Sequence, residues 1–133
     1  MAKSKSYDFK KVSLIVDGRH HTGFMDGSPI RAEQNNDGVT PHVGADGEVV
    51  FAESADQTGT ITVTYKHTSP ALAHVRQLYK ARKTFPIMLD DQNDPRVRVG
   101  GTEARVLKMP PLERGTEVTG VEVQYFVADY DQR

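Results

Sequence analysis

Between Thr60 and His67 the chain alternates without a break, with Ile61, Val63, Tyr65 and His67 on one side and Thr60, Thr62, Thr64 and Lys66 on the other. A period of two with β-branched residues on both sides specifies a strand that lays one face on a core and the other on something semi-polar. Thr68-Ser-Pro70 stops it. The Ser69 hydroxyl can accept from the free amides at a helix start, and Pro70 suits the first helical position, where no amide partner is needed. Beyond it, Leu72, Val75, Leu78 and Tyr79 recur at helical spacing as one apolar stripe, which predicts a helix over about 70–83. Everything else reads as strands and loops packed around this pair.

Upstream, Val12, Leu14 and Val16 alternate into an Asp17-Gly18 hairpin turn, with a return strand from Arg19 to Phe24. Met25 to Pro29 is a turn cluster, Ile30 to Glu33 is strand-like, and Gln34 to Gly38 holds the strongest breakers. Val39 to Gly47 reads as irregular, Glu48 to Glu53 as a strand, and Ser54 to Gln57 as its link to the central strand. Residues 34–57 therefore form a long loop or hairpin excursion, of a length that is usually functional or ordered by a partner. After the helix, Thr84 to Leu89 reads as a strand whose Pro86 places its start at an edge or bulge. Asp90 to Pro95 is a polar turn. Arg96–Val99 and Thr102–Met109 read as short strands around a Gly100-Gly101 turn, and Pro110-Pro111 breaks again. Glu117 to Asp129 is the last strand, with Val121, Val123, Tyr125 and Val127 on one face. The expected fold is mainly β: a β-sandwich or barrel with one flanking α-helix, as a single domain over 1–133 with a mobile N-terminal arm at 1–6.

Composition narrows the function. With 37% hydrophobic residues and a mean hydropathy of -0.55, the chain is lean for a deep private core and fits a subunit whose polar strand faces meet neighbours. The absence of cysteine excludes disulfides and thiolate metal sites, and no apolar run is long enough to cross a bilayer, so no membrane partner is expected. A net charge of -1 argues against a basic nucleic-acid binder. Locally, however, seven acids between Asp26 and Gln57 face Arg31 alone, whereas all five charged residues from Lys66 to Lys83 are basic. Such segments are either solvated charge or complementary surfaces that meet between copies or with a partner.

No catalytic set emerges. His20 and His21 point to opposite faces of a strand and cannot easily share a metal, and His67 and His74 read as partly exposed polar groups at strand and helix ends. Asp90-Asp-Gln-Asn-Asp94 resembles a calcium loop but lacks its turn glycine and its closing acid, since Gly101 stands there. Gly100-Gly101 opens no helix, so it is no phosphate cradle. The aromatics are not interleaved with bases as on a base-stacking platform. The residues describe a binding or structural module with no cofactor, not an enzyme.

Several segments, in order, carry a resemblance: Tyr7-Asp-Phe9, Val12-Ser-Leu-Ile-Val-Asp-Gly18, Gly23-Phe-Met-Asp-Gly27, Val43-Gly-Ala-Asp-Gly-Glu48, Thr58-Gly-Thr-Ile-Thr-Val-Thr64 and Thr68-Ser-Pro70. The chain resembles the tail tube protein family of contractile-tailed bacteriophages, a virion structural protein, over nearly its whole length. The resemblance implies a β-sandwich subunit with a flanking helix. Six copies would close into a ring whose inner strands join as a continuous barrel. Rings would stack into a tube inside a contractile sheath and conduct DNA during ejection without binding it specifically. Type VI secretion and pyocin tubes are similar in architecture. Implied partners are the sheath, tape-measure, baseplate and terminator proteins, in a virion assembled in the host bacterial cytoplasm. On this reading Asp37, His42, Asp46, Glu48, Phe51 and Glu53 contact the adjacent ring, and Arg76, Lys80, Arg82 and Lys83 face the sheath or a neighbour. Competing readings are another ring-forming virion protein, such as a terminator or tube initiator, and a small β-barrel that binds a ligand or single-stranded nucleic acid.

Overall fold

The computed structural model describes residues 4–133. Of the arm expected at 1–6, the first three residues lie outside the described part, and the next three are exposed and without regular structure. A short 3-10 turn, Phe9–Lys11, leads into β1 (Val12–Val16) and β2 (Arg19–His21). There follow β3 (Ile30–Gln34), β4 (Val39–Val43), β5 (Val49–Glu53), β6 (Gly59–Lys66), α1 (Ala71–Lys80), β7 (Phe85–Asp91), β8 (Val97–Val106), β9 (Gly120–Val127) and β10 (Asp131–Gln132). The protein is mainly β, with one α-helix among the described residues, as the alternation of its sequence demands.

The main sheet runs β2-β1-β7-β8-β9-β6-β3, antiparallel throughout, with β10 continuing beside β8 below the end of β9. Its two ends are joined by the chain itself. Residues from Arg19 pair first with β1. Two residues beyond His21 the same segment reaches β6, where the Lys66 amide donates to Gly23, Phe24 bridges Tyr65 and the Met25 amide donates to Thr64. The sheet therefore curls into a barrel-like roll. Leu14 and Val16 meet Ile61, Val63, Tyr65, Phe85, Ile87 and the inward face of β9 in one core, with Leu72, Val75 and Leu78 of α1 laid against it.

The β1–β2 turn has Asp17 and Gly18 at φ 51° and 77°, the two positive values that a two-residue hairpin needs. Ser69 works as expected: its Oγ accepts from the Ala71 amide at 3.2 Å and donates to the Thr22 carbonyl, fastening the helix start to the roll. The helix ends three residues before the expected 83. Arg82 adopts φ 53°, and the Lys83 and Arg82 amides donate back to Leu78 and Tyr79, a two-bond helix stop that glycine usually provides.

Three expectations are corrected. Gly100-Gly101 is no turn: β8 is one ten-residue strand running through it. The reason is crowding, because a Cβ on Gly100 would overlap the Ile87 carbonyl and one on Gly101 would press on Asp129 and Val127. The β7 register also slips between Phe85 and Ile87, the bulge that Pro86 foreshadowed. Val39 to Val43 is a strand, paired with β5 from Val39–Glu53 to Val43–Val49, and the hairpin tolerates Pro41 because it lies outside the main sheet. His74 is not a helix-end group. It is buried in the middle of α1. Gly100→Ala should lower unfolding stability by about 2 kcal/mol or more, since the obstacle is backbone that cannot rotate away. A urea unfolding midpoint equal to that of the parent would refute this account of the long strand.

Candidate assembly surfaces

The β4–β5 hairpin stands apart from the core, and every residue of both strands is exposed. Cross-strand partners share a face, so Val39, Pro41 and Val43 lie with Glu53, Phe51 and Val49 on one side, and Thr40 and His42 lie with Ala52 and Val50 on the other. One side is thus apolar but for Glu53, with Phe51 67% exposed. Exposed apolar side chains grouped this way are a candidate interaction surface.

All six residues expected at a ring contact fall on this arm or its root, and all are exposed. Phe51 and Glu53 belong to the apolar side and His42 to the other. Asp46 and Glu48 shape the tip, where the Glu48 amide donates to Asp46 Oδ1 at 3.3 Å. Asp37 lies in the root beside Asn36, whose amide donates to Asp56. Asp56 also takes the Thr58 amide and hydroxyl, and these bonds hold its carboxyl below the usual range.

The basic cluster of the helix is less uniform than the sequence suggests. Lys83 Nζ is ion-paired with Asp17 at 2.7 Å, and the Arg82 guanidinium lies 4.5 Å from the Tyr79 ring centroid. Arg76 is half-buried, and Lys80 is exposed with no ion pair among the described residues.

Two surfaces escaped the sequence reading. An open groove of about 420 Å³ lies on the sheet face turned from the core, floored by Ile15, Pro86, Met88 and the bare backbone of Gly100-Gly101. The second surface is the connection between Val106 and Gly120, where Leu107, Met109, Leu112 and Val118 are exposed. It is pinned to the Lys66 end of the central strand, where Thr119 and His67 exchange two bonds of 3.2 and 3.0 Å. Apolar residues around Pro110-Pro111 were the available signal, masked by the prolines. Among the described residues no group of His, Asp and Glu is placed to hold a metal, and no helix is long and apolar enough to cross a membrane.

Residues 16–88 match the sequence family described as the bacteriophage PhiTE tail tube protein. That is more than half of the chain. The chain belongs to the PhiTE tail tube protein family. Among solved structures that share the fold of this chain are the following three. The tube-terminating cap of the anti-feeding prophage aligns with a TM-score of 0.62 at 11% identity, covering 100% of this chain and 94% of that one. The sheath/tube terminator of an extracellular contractile injection system, PVC, aligns at 0.64 and 10% identity, covering 99% of each chain. A chain of the PVC sheath–tube complex aligns at 0.57 and 10% identity, covering 96% and 91%. No curated protein matches the chain in sequence.

The core of the roll also holds a polar chain. His74 Nδ1 lies 2.8 Å from His21 Nε2, His21 Nδ1 lies 2.7 Å from the Tyr65 hydroxyl, and that hydroxyl lies 2.8 Å from the Tyr125 hydroxyl. One proton order leaves its single spare donor, His74 Nε2–H, at the surface end. Tyr125 donates to Tyr65, Tyr65 to His21 Nδ1, and His21 Nε2–H to His74, leaving the other His74 nitrogen toward a surface hollow lined by Asp17, Arg19 and Lys83. The reverse order strands the Tyr125 proton. Burial, reinforced by His74 and Arg19, lowers His21 to about 4. Burial also lowers His74, with Arg19 and Lys83 adding to that and Asp17 opposing it, and raises both tyrosines.

A histidine that is neutral when folded but free to protonate when unfolded binds more protons in the unfolded state between pH 6.5 and 4. Its contribution is therefore full above the unfolded pKa and lost as pH falls through that window. Unfolding stability should drop by up to about 3 kcal/mol from pH 7 to pH 4. A flat urea midpoint over that range would contradict the neutral, buried His21.

Proposed function

We propose that this chain is the repeating subunit of a phage tail tube. Six copies close into a ring, rings stack, and the tube sits inside a contractile sheath and passes DNA on ejection. The observation that carries the proposal is the projecting arm with its unpartnered apolar side, on a body whose own core is already filled. A monomer gains nothing from such an arm, whereas a stacked subunit buries it against the next copy. In this reading the arm carries Asp37, His42, Asp46, Glu48, Phe51 and Glu53 to the adjacent ring. Arg76, Lys80, Arg82 and Lys83 face the sheath or a neighbour, with Lys80 the freest to do so. The outward side of β6 and β9, with Thr60, Thr62, Thr64, Glu122 and Gln124 along it and Lys66 at its end, suits the bore, because it is mostly uncharged and offers little to hold passing phosphates. Tape-measure, baseplate and terminator proteins complete the virion, which assembles in the host cytoplasm.

A second reading is a terminator that closes the tube, since two of the three related folds come from tube-terminating proteins. Polymer growth separates the two: purified protein should form long tubes in negative stain, while a terminator stops at one ring. Deletion of residues 40–52 should leave a folded subunit, with its melting transition retained, that no longer polymerises. Tubes of normal length from that deletion would remove the arm from the contact. Lys80→Glu should reduce co-sedimentation with extended sheath severalfold, and undiminished attachment would turn the helix away from the sheath.

A further inference from the structure

We infer that the Leu107–Thr119 loop of one copy is the seat for the hairpin arm of the next, an assignment that rests on the tube reading and names its contact. The arm leaves from one end of β6, whereas the loop starts beside Gln124, level with Thr62, and is closed at the other end. At the Gly59 end of β6, the Asn35 amide donates to the Thr58 carbonyl and the Ser54 amide to Gly38, so the arm leaves from there. At the Lys66 end, the bonds between His67 and Thr119 hold the loop. The length of β6 sets the arm's root and the Thr119 end of the loop roughly 25 Å apart.

Two different apolar surfaces at opposite ends of a rigid roll cannot satisfy one another within a copy. They satisfy one another between copies, head to tail, and such a contact repeats without closing. A two-fold arm-to-arm contact would leave the loop bare and halt at pairs. Charge does not oppose the match: residues 34–57 carry five acids and neither Lys nor Arg, whereas the loop balances Lys108 and Arg114 against Glu113 and Glu117, with Lys66 beside its end. The tip of the loop is open, with Leu112 73% exposed, so a side chain there is free to be covered.

The contact is tested with one charged substitution on each side, Phe51→Asp on the arm and Leu112→Asp on the loop, both at exposed positions and both checked for an unchanged melting transition. Each variant alone should fail to form tubes. Mixed in equal amounts, they should give a discrete species of twice the single assembly's mass, because the intact arm of L112D meets the intact loop of F51D and no further contact exists. Val43→Asp and Val118→Asp form a second pair should either first variant melt early. Parent protein that never polymerises overturns the tube reading and this contact with it. Parent protein that polymerises, with L112D polymerising equally well or the mixture staying at single mass, overturns the loop assignment alone.

Discussion

Tyr65 is where the roll closes. Its backbone bridges Phe24, the residue at which the chain leaves the β1 side of the sheet for the β6 side, and its ring stacks on Phe24 at 5.6 Å between centroids. Its hydroxyl joins His21 to Tyr125, so strands near both ends of the sheet path and its middle meet at one fully buried group. The hydrophobic effect would be content with many curls of the same strands. A buried donor–acceptor chain is not, because a slipped register leaves a polar atom unpaired in the core, at a cost of about 1–3 kcal/mol. The polar chain therefore selects which curl the apolar faces adopt.

Closure also decides where the molecule can associate. With the segment from Arg19 to Gln34 joining the two ends of the sheet, the unpaired strand backbone left on the roll is chiefly the outer edges of β2, β3 and β10. These carry Arg31 with Glu33, and Asp131, charges that discourage indiscriminate strand addition. The apolar surface left over is displaced from the roll, onto the arm at one end and the long loop at the other.

The elements legible in the sequence were those whose burial imposes a period. The alternation of β6 and β9, the Asp17-Gly18 turn and the Ser69-Pro70 stop all read correctly, because a core on one side writes its period into the chain. Gly100-Gly101 misled because a glycine pair is the usual mark of a turn, whereas here it relieves a collision with Ile87 from a neighbouring strand. Val39, Pro41 and Val43 do alternate, but with no core beneath them and a proline among them the pattern looked like loop. His74 sits on the same stripe as Ala71, Val75 and Leu78, and its spacing was readable. Its polarity argued it outward, and only the facing His21, 53 residues away in sequence, makes it an inward residue. Of the exposed surfaces, the arm was expected as a long acidic excursion, and its apolar side required the strand register to be seen.

That register bears on how folding and assembly are linked. A two-stranded hairpin alone in water is marginal, because its cross-strand pairs barely offset the entropy of ordering it. The arm has its five-residue pairing and the Ser54–Gly38 bond at its root, but no core beneath it. Covering Val39, Val43, Val49 and Phe51 with a neighbour supplies the missing layer, so docking and ordering of the arm stabilise each other. The roll stays folded through its own core whether or not the arm is engaged. On the proposed reading, the strength of association at the arm would be free to vary without disturbing the fold, which a subunit that shared strands of its core with neighbours could not allow.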